Sequence, residues 1–241
     1  MLLVDDIYQQ KQEQVENFCF DEKVANVFDD MINRSVPGYR IINHYSTIIA
    51  STYLRYGDTC YDLGCSTGDT LYRLRQLLQA KAHLIGVDNS TAMLDKCQQK
   101  LSQQTSDIAY TLECGDICEL NLKLATVYLM NFTLQFILPH KRLTLLAKIH
   151  TNLKENGVLV LAEKIKFSSA DEQANFDMWH KMFKKSQGYS DLEIQQKRAA
   201  IENTLIADNL EQHMCRLTRI GFNKVYKACQ FLNFVLLVAV K

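Results

Sequence analysis

Three acidic residues at the ends of short apolar stretches have the types and spacing to hold a polar ligand. Asp62 opens the turn DLGCSTG, Asp88 follows twenty residues after Gly68, and Asp116 lies in the stretch CGDI. A glycine turn lets a ligand approach the backbone closely because no Cβ stands in the way. Asp88 could accept hydrogen bonds from both hydroxyls of a ribose, and Asp116 from an exocyclic amine. Together these residues suggest a site for an adenosine-containing ligand.

Each of these residues also has a purely structural interpretation, since glycines after strands are often plain turn residues and aspartates there often cap helices. The occurrence of the glycine turn, Asp88 and Asp116 in this order favours the ligand-binding interpretation over the structural one. The dinucleotide fingerprint has three glycines and seats a pyrophosphate at a helix N-terminus, whereas this turn has only Gly64 and Gly68. Asp62 would repel a pyrophosphate and would suit an ammonium group, which the amino-acid end of S-adenosylmethionine supplies.

The stretches around these acids alternate between strand and helix patterns. The predicted strands lie in TCYDLG, HLIGVDN, IAYTLECGD, LATVYLMNFTLQF and GVLVLAEKI. The predicted helices lie in DTLYRLRQLLQ, STAMLDKCQQKLSQQ and HKRLTLLAKIHTNL. Because the strands are almost entirely apolar, we expect an α/β fold with a mostly parallel sheet covered on both faces. Ligands of such sheets bind outside the carboxyl ends of the strands, where the three acids would lie.

The rest of the chain is predicted to complete one domain that spans residues 1–241. Residues 1–55 are expected to form an N-terminal helical cap. Residues 167–214 are too long for a simple connection and predict a helical insertion over the carboxyl edge of the sheet. The C-terminal stretch predicts a short helix, a turn at Gly221 and two strands that close the sheet as a hairpin.

Composition narrows the classes of function. The formal net charge is zero, which disfavours binding to a nucleic-acid backbone over a large surface. Eight cysteines are spread without a CxxC pair, so we predict reduced thiols and no metal site. The N-terminus lacks a signal-peptide pattern, and the apolar stretch FVLLVAV is too short to span a bilayer. These features predict a cytoplasmic protein with no membrane contact.

The turn DLGCSTG, the acid at Asp88 and the later Gly-Asp pair resemble the class I S-adenosylmethionine-dependent methyltransferases over about residues 50–165. This resemblance implies a Rossmann-like, seven-stranded, mostly parallel sheet with a reversed last strand. A narrower resemblance runs from about residue 19 to the C-terminus, to the carboxy-S-adenosyl-L-methionine synthases of the tRNA wobble-uridine oxyacetic acid pathway. The stretches that carry it are FDEKVANVFDDMINRSVPGY, YDLGCSTG, VDNSTAML, MNFTLQF, LAEKI, GYSDLEIQQKRAAIEN and FLNF.

The narrower resemblance implies an unusual reaction. S-adenosyl-L-methionine would be a substrate, prephenate would supply a carboxyl group to its methyl, and carboxy-S-adenosyl-L-methionine and phenylpyruvate would be the products. The first product would then pass to a tRNA carboxymethyltransferase, so the chain itself would not need to bind tRNA. The resemblance also implies a homodimer, with residues 167–214 as a reasonable place for the contact.

Matching motif positions assigns expected roles to single residues. The expected ligand-binding residues are Tyr39, Gly64, Cys65, Ser66, Asp88, Asn89, Asp116, Ile117, Asn131 and Arg198. Arg198 is also the predicted catalytic residue, since a guanidinium can hold a carboxylate bidentately beside the reacting methyl. Asn131 could instead cap a turn, Tyr39 could fill the core, and Arg198 could lie on a solvated helix face. Arg34 is a second candidate for holding an anion.

Two other functions stay open on the sequence alone. The chain could be a conventional methyltransferase acting on a small molecule or tRNA, with an acceptor pocket in place of a carboxylate clamp. It could also be a non-catalytic subunit that only binds the nucleoside. Arg198 distinguishes the first alternative from a synthase, because an ordinary methyltransferase does not need a fixed cation beside the methyl.

Overall fold

The protein is described by a computed structural model that covers residues 3–79 and 81–241. Its centre is a single sheet with the strand order β3-β2-β1-β4-β5-β8-β7. In chain order, the strands of this path are β1 (Thr59–Leu63), β2 (His83–Asp88), β3 (Ala109–Cys114), β4 (Ala125–Asn131), β5 (Leu153–Lys166), β7 (Lys224–Phe231) and β8 (Phe234–Val240). A two-residue strand, β6 (Asp208–Asn209), pairs with the end of β5 outside this path.

The order of the strands reverses direction beside β1, which pairs in parallel with both β2 and β4. Ligands of open α/β sheets bind at such a reversal, outside the carboxyl ends of the strands. The last strand, β8, runs antiparallel to both its neighbours, β5 and β7. The sheet is therefore mostly parallel with a reversed last strand, and the fold expected from the sequence is confirmed.

Eight α-helices flank the sheet within the described residues. They are α1 (Glu22–Ser35), α2 (Tyr39–Tyr53), α3 (Asp69–Leu77), α4 (Thr91–Ser102), α5 (Pro139–Asn152), α6 (Ala170–Ser186), α7 (Asp191–Ile201) and α8 (Leu210–Ile220). A short 3-10 helix covers Leu134–Phe136. In the part of the chain that the structure describes, no helix has both the length and the apolar character needed to cross a membrane.

Alternate residues of each central strand face opposite sides of the sheet, because side chains along a strand alternate with a period of two. Cys60 of β1 packs in the same buried cluster as residues of α2, α3 and α4. Tyr61 packs on the other side, with residues of α5 and α8. Both faces of the sheet are therefore covered, which explains why its strands are almost entirely apolar in sequence.

Local signals in the sequence set the ends of several helices. Ser90 caps α4 by accepting a hydrogen bond from the Met93 amide, and Gly221 ends α8 in the left-handed conformation. One strand differs from its prediction. The fifth strand is predicted within GVLVLAEKI, but β5 already begins at Leu153 and continues through an irregularity in its pairing with β4.

The N-terminal segment and helices α1, α6 and α7 lie over the carboxyl end of the sheet. Phe18 and Phe20 pack with α1 residues in a third buried cluster, and the Phe18 amide donates to the Ala200 carbonyl in α7 at 2.9 Å. Helices α6 and α7 fall within the predicted insertion at residues 167–214. The division of the chain into one domain with a cap and an insertion stays a prediction.

Candidate active site

A cavity of about 540 Å³ lies at the carboxyl ends of the strands, beneath α1, α6 and α7. Eight of the ten predicted ligand-binding residues line it. These are Gly64, Ser66, Asp88, Asn89, Asp116, Ile117, Asn131 and Arg198. The residues come from the ends of β1 to β4 and from α7, so the fold brings together positions that are far apart in the chain.

The glycine turn after β1 has a backbone that other residues would strain. Gly64 and Gly68 have φ angles of 80° and 82°, and Ser66 between them has a φ of 51°. A Cβ on Gly64 would overlap the side chain of Thr133. Gly64 therefore satisfies two separate requirements, a left-handed φ and close packing against the loop after β4.

Asp88, at the end of β2, holds this turn in place. Its Oδ2 accepts from the Ser66 amide and its Oδ1 from the Ser90 amide, both at 2.9 Å. Burial raises the pKa of this carboxyl, and the backbone donors act against that rise. Each carboxylate oxygen has a further lone pair, so Asp88 could hold the turn and accept from ribose hydroxyls at the same time.

Asp62 is buried beneath the turn with an unsatisfied oxygen. Its side chain is almost fully buried, and its Oδ2 has no hydrogen-bond partner among the described residues. Burial, followed by the charges of Asp88 and Asp69, raises the pKa of Asp62 to about 8. A buried carboxyl without a partner is costly, and an ammonium group would both pair with it and favour its charged form. The residue therefore fits the amino-acid end of S-adenosylmethionine.

Asp116 and Ile117, which follow β3, line the part of the cavity where the adenine is expected. Asp116 is exposed, and its Oδ1 accepts from the Cys118 amide at 2.8 Å, as expected for a turn cap. Its Oδ2 makes no hydrogen bond within the described residues and could accept from an amine. Phe20 and Phe136 pack edge to face at 5.2 Å and both line the cavity, which provides an apolar wall for a planar base.

Asn131 lies at the end of β4, between the nucleoside side and the rest of the cavity. Its side-chain amide donates to Ser46 Oγ at 3.1 Å and to Thr70 Oγ1 at 3.3 Å. These bonds fix the orientation of the side chain. The role of Asn131 toward a ligand stays a prediction.

Glu163 fixes the loop that follows Asn131. This fully buried carboxylate accepts from the Leu134 and Gln135 amides at 2.8 and 2.9 Å. Burial raises its pKa to about 8, opposed by these donors and by the charge of Arg142. The loop contributes Phe132, which has a φ of 62°, to the cavity wall. Glu163 thus positions the lining of the cavity without reaching it.

The far end of the cavity is positively charged. It is lined by Lys164 at the end of β5, Lys181 and Lys184 on α6, and Lys197 and Arg198 on α7. Arg198 lies at the rim, with 71% of its side chain exposed and an ion pair of 3.8 Å to Asp177. Its position on the cavity allows it to hold an anion, its exposure matches the solvated alternative, and its role stays a prediction.

Two predicted residues do not line the cavity. The Tyr39 ring packs against Phe132, a lining residue, at 5.9 Å between centroids, and burial raises the pKa of its hydroxyl far above the ordinary range. Cys65 is buried in the core, beside Cys97. Tyr39 therefore packs behind the cavity wall and the Cys65 side chain packs into the core, and the roles of both residues toward a ligand stay predictions.

Several lining residues were missed by sequence reasoning. Phe20, Phe136 and Lys164 lie within stretches that carry the resemblance, but no ligand role was predicted for them. Phe18 and Lys184 lie outside those stretches. Arg34, the second anion candidate, does not line the cavity. Its guanidinium bonds to Asp30 and lies 4.0 Å from the centroid of the Tyr189 ring. His180, which also lines the cavity, packs against Phe234.

The sheet order and the glycine turn define the class of protein. Residues 61–157 match the family model described as a methyltransferase domain. The fold is similar to that of the magnesium protoporphyrin IX methyltransferase of Synechocystis, solved with bound SAH. That match has a TM-score of 0.60 and 15% identity, and it covers 89% of this chain and 94% of that one. The chain has the fold of the class I S-adenosylmethionine-dependent methyltransferases.

Full-length relatives define the family more narrowly. The chain is 44% identical over 243 residues to the carboxy-S-adenosyl-L-methionine synthase of Hahella chejuensis, covering 98% of both chains. It is 47% identical over 227 residues to the enzyme of the same name from Marinobacter nauticus, covering 94% of this chain and 91% of the relative. The chain belongs to the family of carboxy-S-adenosyl-L-methionine synthases, and the resemblance found in its sequence is confirmed.

Proposed function

We propose that this chain converts S-adenosyl-L-methionine and prephenate to carboxy-S-adenosyl-L-methionine and phenylpyruvate. Family membership supports an enzyme with S-adenosyl-L-methionine as substrate and carboxy-S-adenosyl-L-methionine as product. The observation that carries the rest is that one cavity joins a nucleoside side, with Asp88 and Asp116, to a positively charged end with Lys164, Lys184 and Arg198. An acidic second substrate fits such a cavity better than a neutral methyl acceptor.

The reaction is chemically balanced without a strong base from the protein. Prephenate loses carbon dioxide and hydroxide as its ring becomes aromatic, which leaves phenylpyruvate. The hydroxide removes a proton from the methyl on sulfur and forms water, because the adjacent positive charge stabilises the resulting ylide. The ylide carbon then forms a bond to carbon dioxide and becomes the carboxymethyl group. The protein needs to hold both substrates together and exclude water.

Residue roles follow from this geometry. Asp88 would accept from the ribose, Asp116 and Ile117 would contact the adenine, and Asp62 would pair with the ammonium group. Arg198 would hold the carboxyl group that is transferred, as the catalytic residue. Phe18 and Phe20 close the cavity from the N-terminal segment and would limit the access of water to the ylide.

The product is proposed to pass to a tRNA carboxymethyltransferase in the cytoplasm. The zero net charge supports a chain that does not bind tRNA itself. A homodimer is proposed from the exposed apolar residues of α6, where Met178, Trp179 and Met182 are 52%, 45% and 58% exposed. A second copy packed on this face would shield them from water and would lie close to Arg198.

Mass spectrometry of the purified protein after incubation with S-adenosyl-L-methionine and prephenate tests the reaction. The expected result is one carboxylated nucleoside for each phenylpyruvate formed, with the new carboxyl carbon labelled when the ring carboxyl of prephenate carries ¹³C. Unmodified S-adenosyl-L-methionine alone, with no phenylpyruvate, would exclude the reaction and leave a conventional methyltransferase or a binding subunit.

A further inference from the structure

The positively charged end of the cavity contains more cations than its acidic residues compensate. Lys197 is almost fully buried and is held by Asp5 at 3.2 Å and by Ser35 Oγ at 2.9 Å. Arg198 has Asp177 as its partner. Within residues 3–79 and 81–241, Lys164 and Lys184 have no ion pair. These two ammonium groups line the cavity without an anion to compensate them.

Other lysines of the same region show that partners are the rule there. Lys181 and Lys185, also on α6, lie 2.8 and 2.9 Å from the carboxylate of Asp191. Both are more exposed than Lys184, which is half-buried. A half-buried ammonium group without a partner loses hydration and gains no ion pair. Lys184 and Lys164 therefore differ from their neighbours in a way that packing does not explain.

The electrostatic environment agrees with this geometry. Burial, followed by the positive charges of Lys164, Lys197 and Arg198, lowers the pKa of Lys184 to about 7, and Asp177 opposes the change. Burial also lowers the pKa of Lys164, again opposed by Asp177. An anion placed between the two ammonium groups would favour their charged forms.

The position of Lys164 relates this pair to the reacting groups. In the pairing of β4 with β5, Asn131 lies opposite Ala162, and Lys164 follows two residues later on the same strand. Residues two apart on a strand point to the same face and are separated by about 7 Å. Lys164 is therefore close to the strand end where the methyl of the nucleoside is expected, but beyond it.

We propose that Lys164 and Lys184 together bind the carboxylate of the α-keto acid side chain of the second substrate, while Arg198 binds the carboxyl group that is transferred. The inference rests on the proposed function, since it assigns the two carboxylates of a dicarboxylic acid to separate parts of one cavity. The two groups must be bound separately because one leaves as carbon dioxide during the reaction and the other remains on the product. A fixed keto-acid carboxylate would orient the ring carboxyl toward the methyl on sulfur.

The test compares Lys164→Met and Lys184→Met with Lys185→Met, a matched control on α6 whose side chain pairs with Asp191 outside the cavity. We expect each of the first two changes to raise the KM for prephenate by about 10- to 100-fold, as for loss of a hydrogen bond to a charged group. The affinity for S-adenosyl-L-methionine, measured by calorimetry, should stay within about twofold, and Lys184→Arg should recover part of the loss. The control should behave as the wild type.

Two outcomes of the kinetic and nucleoside-binding measurements would overturn the inference. One is an unchanged KM for prephenate in both lysine variants. The other is a parallel loss of affinity for S-adenosyl-L-methionine, because that would indicate a structural role. Binding of phenylpyruvate to the nucleoside complex, measured by calorimetry, separates this inference from the proposed function. If the wild-type protein shows no turnover but binds phenylpyruvate in a way that depends on both lysines, only the proposed function is contradicted. If phenylpyruvate binding is unchanged when either lysine is replaced, the inference is contradicted.

Discussion

The two ends of the cavity are built in different ways. At the nucleoside end, Asp88 is held by two backbone amides and shapes a turn with left-handed residues at Gly64 and Gly68. At the positively charged end, Lys164 and Lys184 come from separate elements and have no hydrogen-bonding partner for their ammonium groups among the described residues. The first end is shaped before a ligand arrives, and the second is completed by the ligand. Binding of the nucleoside part that all ligands share should therefore depend on backbone geometry. Discrimination between ligands should depend on the flexible, charged side chains.

Replacement of Asp88 should give the largest effect, because this carboxylate serves the turn and the ligand together. Asp88→Ala removes two charge-assisted hydrogen bonds within the protein and the predicted ribose contact. We expect the affinities for S-adenosyl-L-methionine and for its carboxylated form to fall together by about 100-fold or more. Calorimetry with both nucleosides measures this.

Asp116→Ala is the matched control for Asp88→Ala, since Asp116 is exposed and makes one backbone hydrogen bond. Its effect should be smaller, about tenfold or less. An Asp88→Ala variant that binds either nucleoside with the affinity of the wild type would disprove the assigned role of the residue. A loss confined to one nucleoside would show that Asp88 does not contact the part that they share.

The glycine turn allows steric and conformational contributions to be separated. Gly64 and Gly57 have φ angles of 80° and 79°, but a Cβ on Gly57 would meet no atom within 4 Å, whereas one on Gly64 would overlap Thr133. Gly57→Ala should lower the free energy of unfolding by about 1 kcal/mol from backbone strain alone. Gly64→Ala should cost about 2 kcal/mol more, because Thr133 must move. Urea unfolding of both variants measures the difference, and equal costs would refute the packing role of Thr133.

Sequence reasoning succeeded where the information was local. The strands, the helices that follow them and the acids at Asp62, Asp88 and Asp116 each depend on a short stretch, and all lie where the parallel sheet requires. The small discrepancy in β5 has a physical cause, since the residues KENG form an irregular part of a strand as easily as a turn when Asn156 adopts a φ of 60°.

The positively charged end could not be predicted in the same way. Lys164 lies in the recognisable stretch LAEKI but has no chemical signal of its own, Lys184 lies in no such stretch, and only the fold of α6 over the end of β5 places both on one cavity. The ion pair between Asp5 and Lys197 could not be predicted either, because no pattern in the sequence relates these two residues. Tyr39 and Cys65 show the reverse case. Their motif positions are recognisable, but packing decides that Tyr39 supports the wall and that Cys65 faces the core.

Arg198 should contribute to the affinity for the carboxylated nucleoside only, whereas Asp88 should contribute to the affinity for both nucleosides. Arg198→Ala should keep the affinity for S-adenosyl-L-methionine and weaken the carboxylated form by about tenfold. The effect is smaller than that of Asp88 because this guanidinium is mostly exposed in the single chain. Competition calorimetry with both nucleosides gives the ratio. Arg219→Ala, an exposed arginine on α8 outside the cavity, is the control, and an unchanged ratio for Arg198→Ala would remove its proposed role.

Replacement of Asp62 should have a smaller effect, which appears in the pH dependence of the unfolding free energy. It tests whether the nucleoside end is arranged before the ligand binds. The pKa of Asp62 is about 8 in the folded protein and 3.8 as an ordinary value. Between these values the folded protein binds a proton that the unfolded chain releases. The stabilisation from that proton is complete below pH 3.8 and is lost as the pH rises through about 8.

Asp62→Asn should therefore flatten the decline of unfolding free energy with pH by about 1 kcal/mol per pH unit between about pH 5 and pH 7. Urea unfolding at several pH values measures it, with the exposed Asp95→Asn as a control that should keep the wild-type slope. Bound S-adenosyl-L-methionine should flatten the wild-type slope as well, because its ammonium group favours the charged carboxylate. If the ligand left the wild-type slope unchanged, the ammonium group would not lie beside Asp62, and the orientation of the nucleoside in the cavity would have to be reversed.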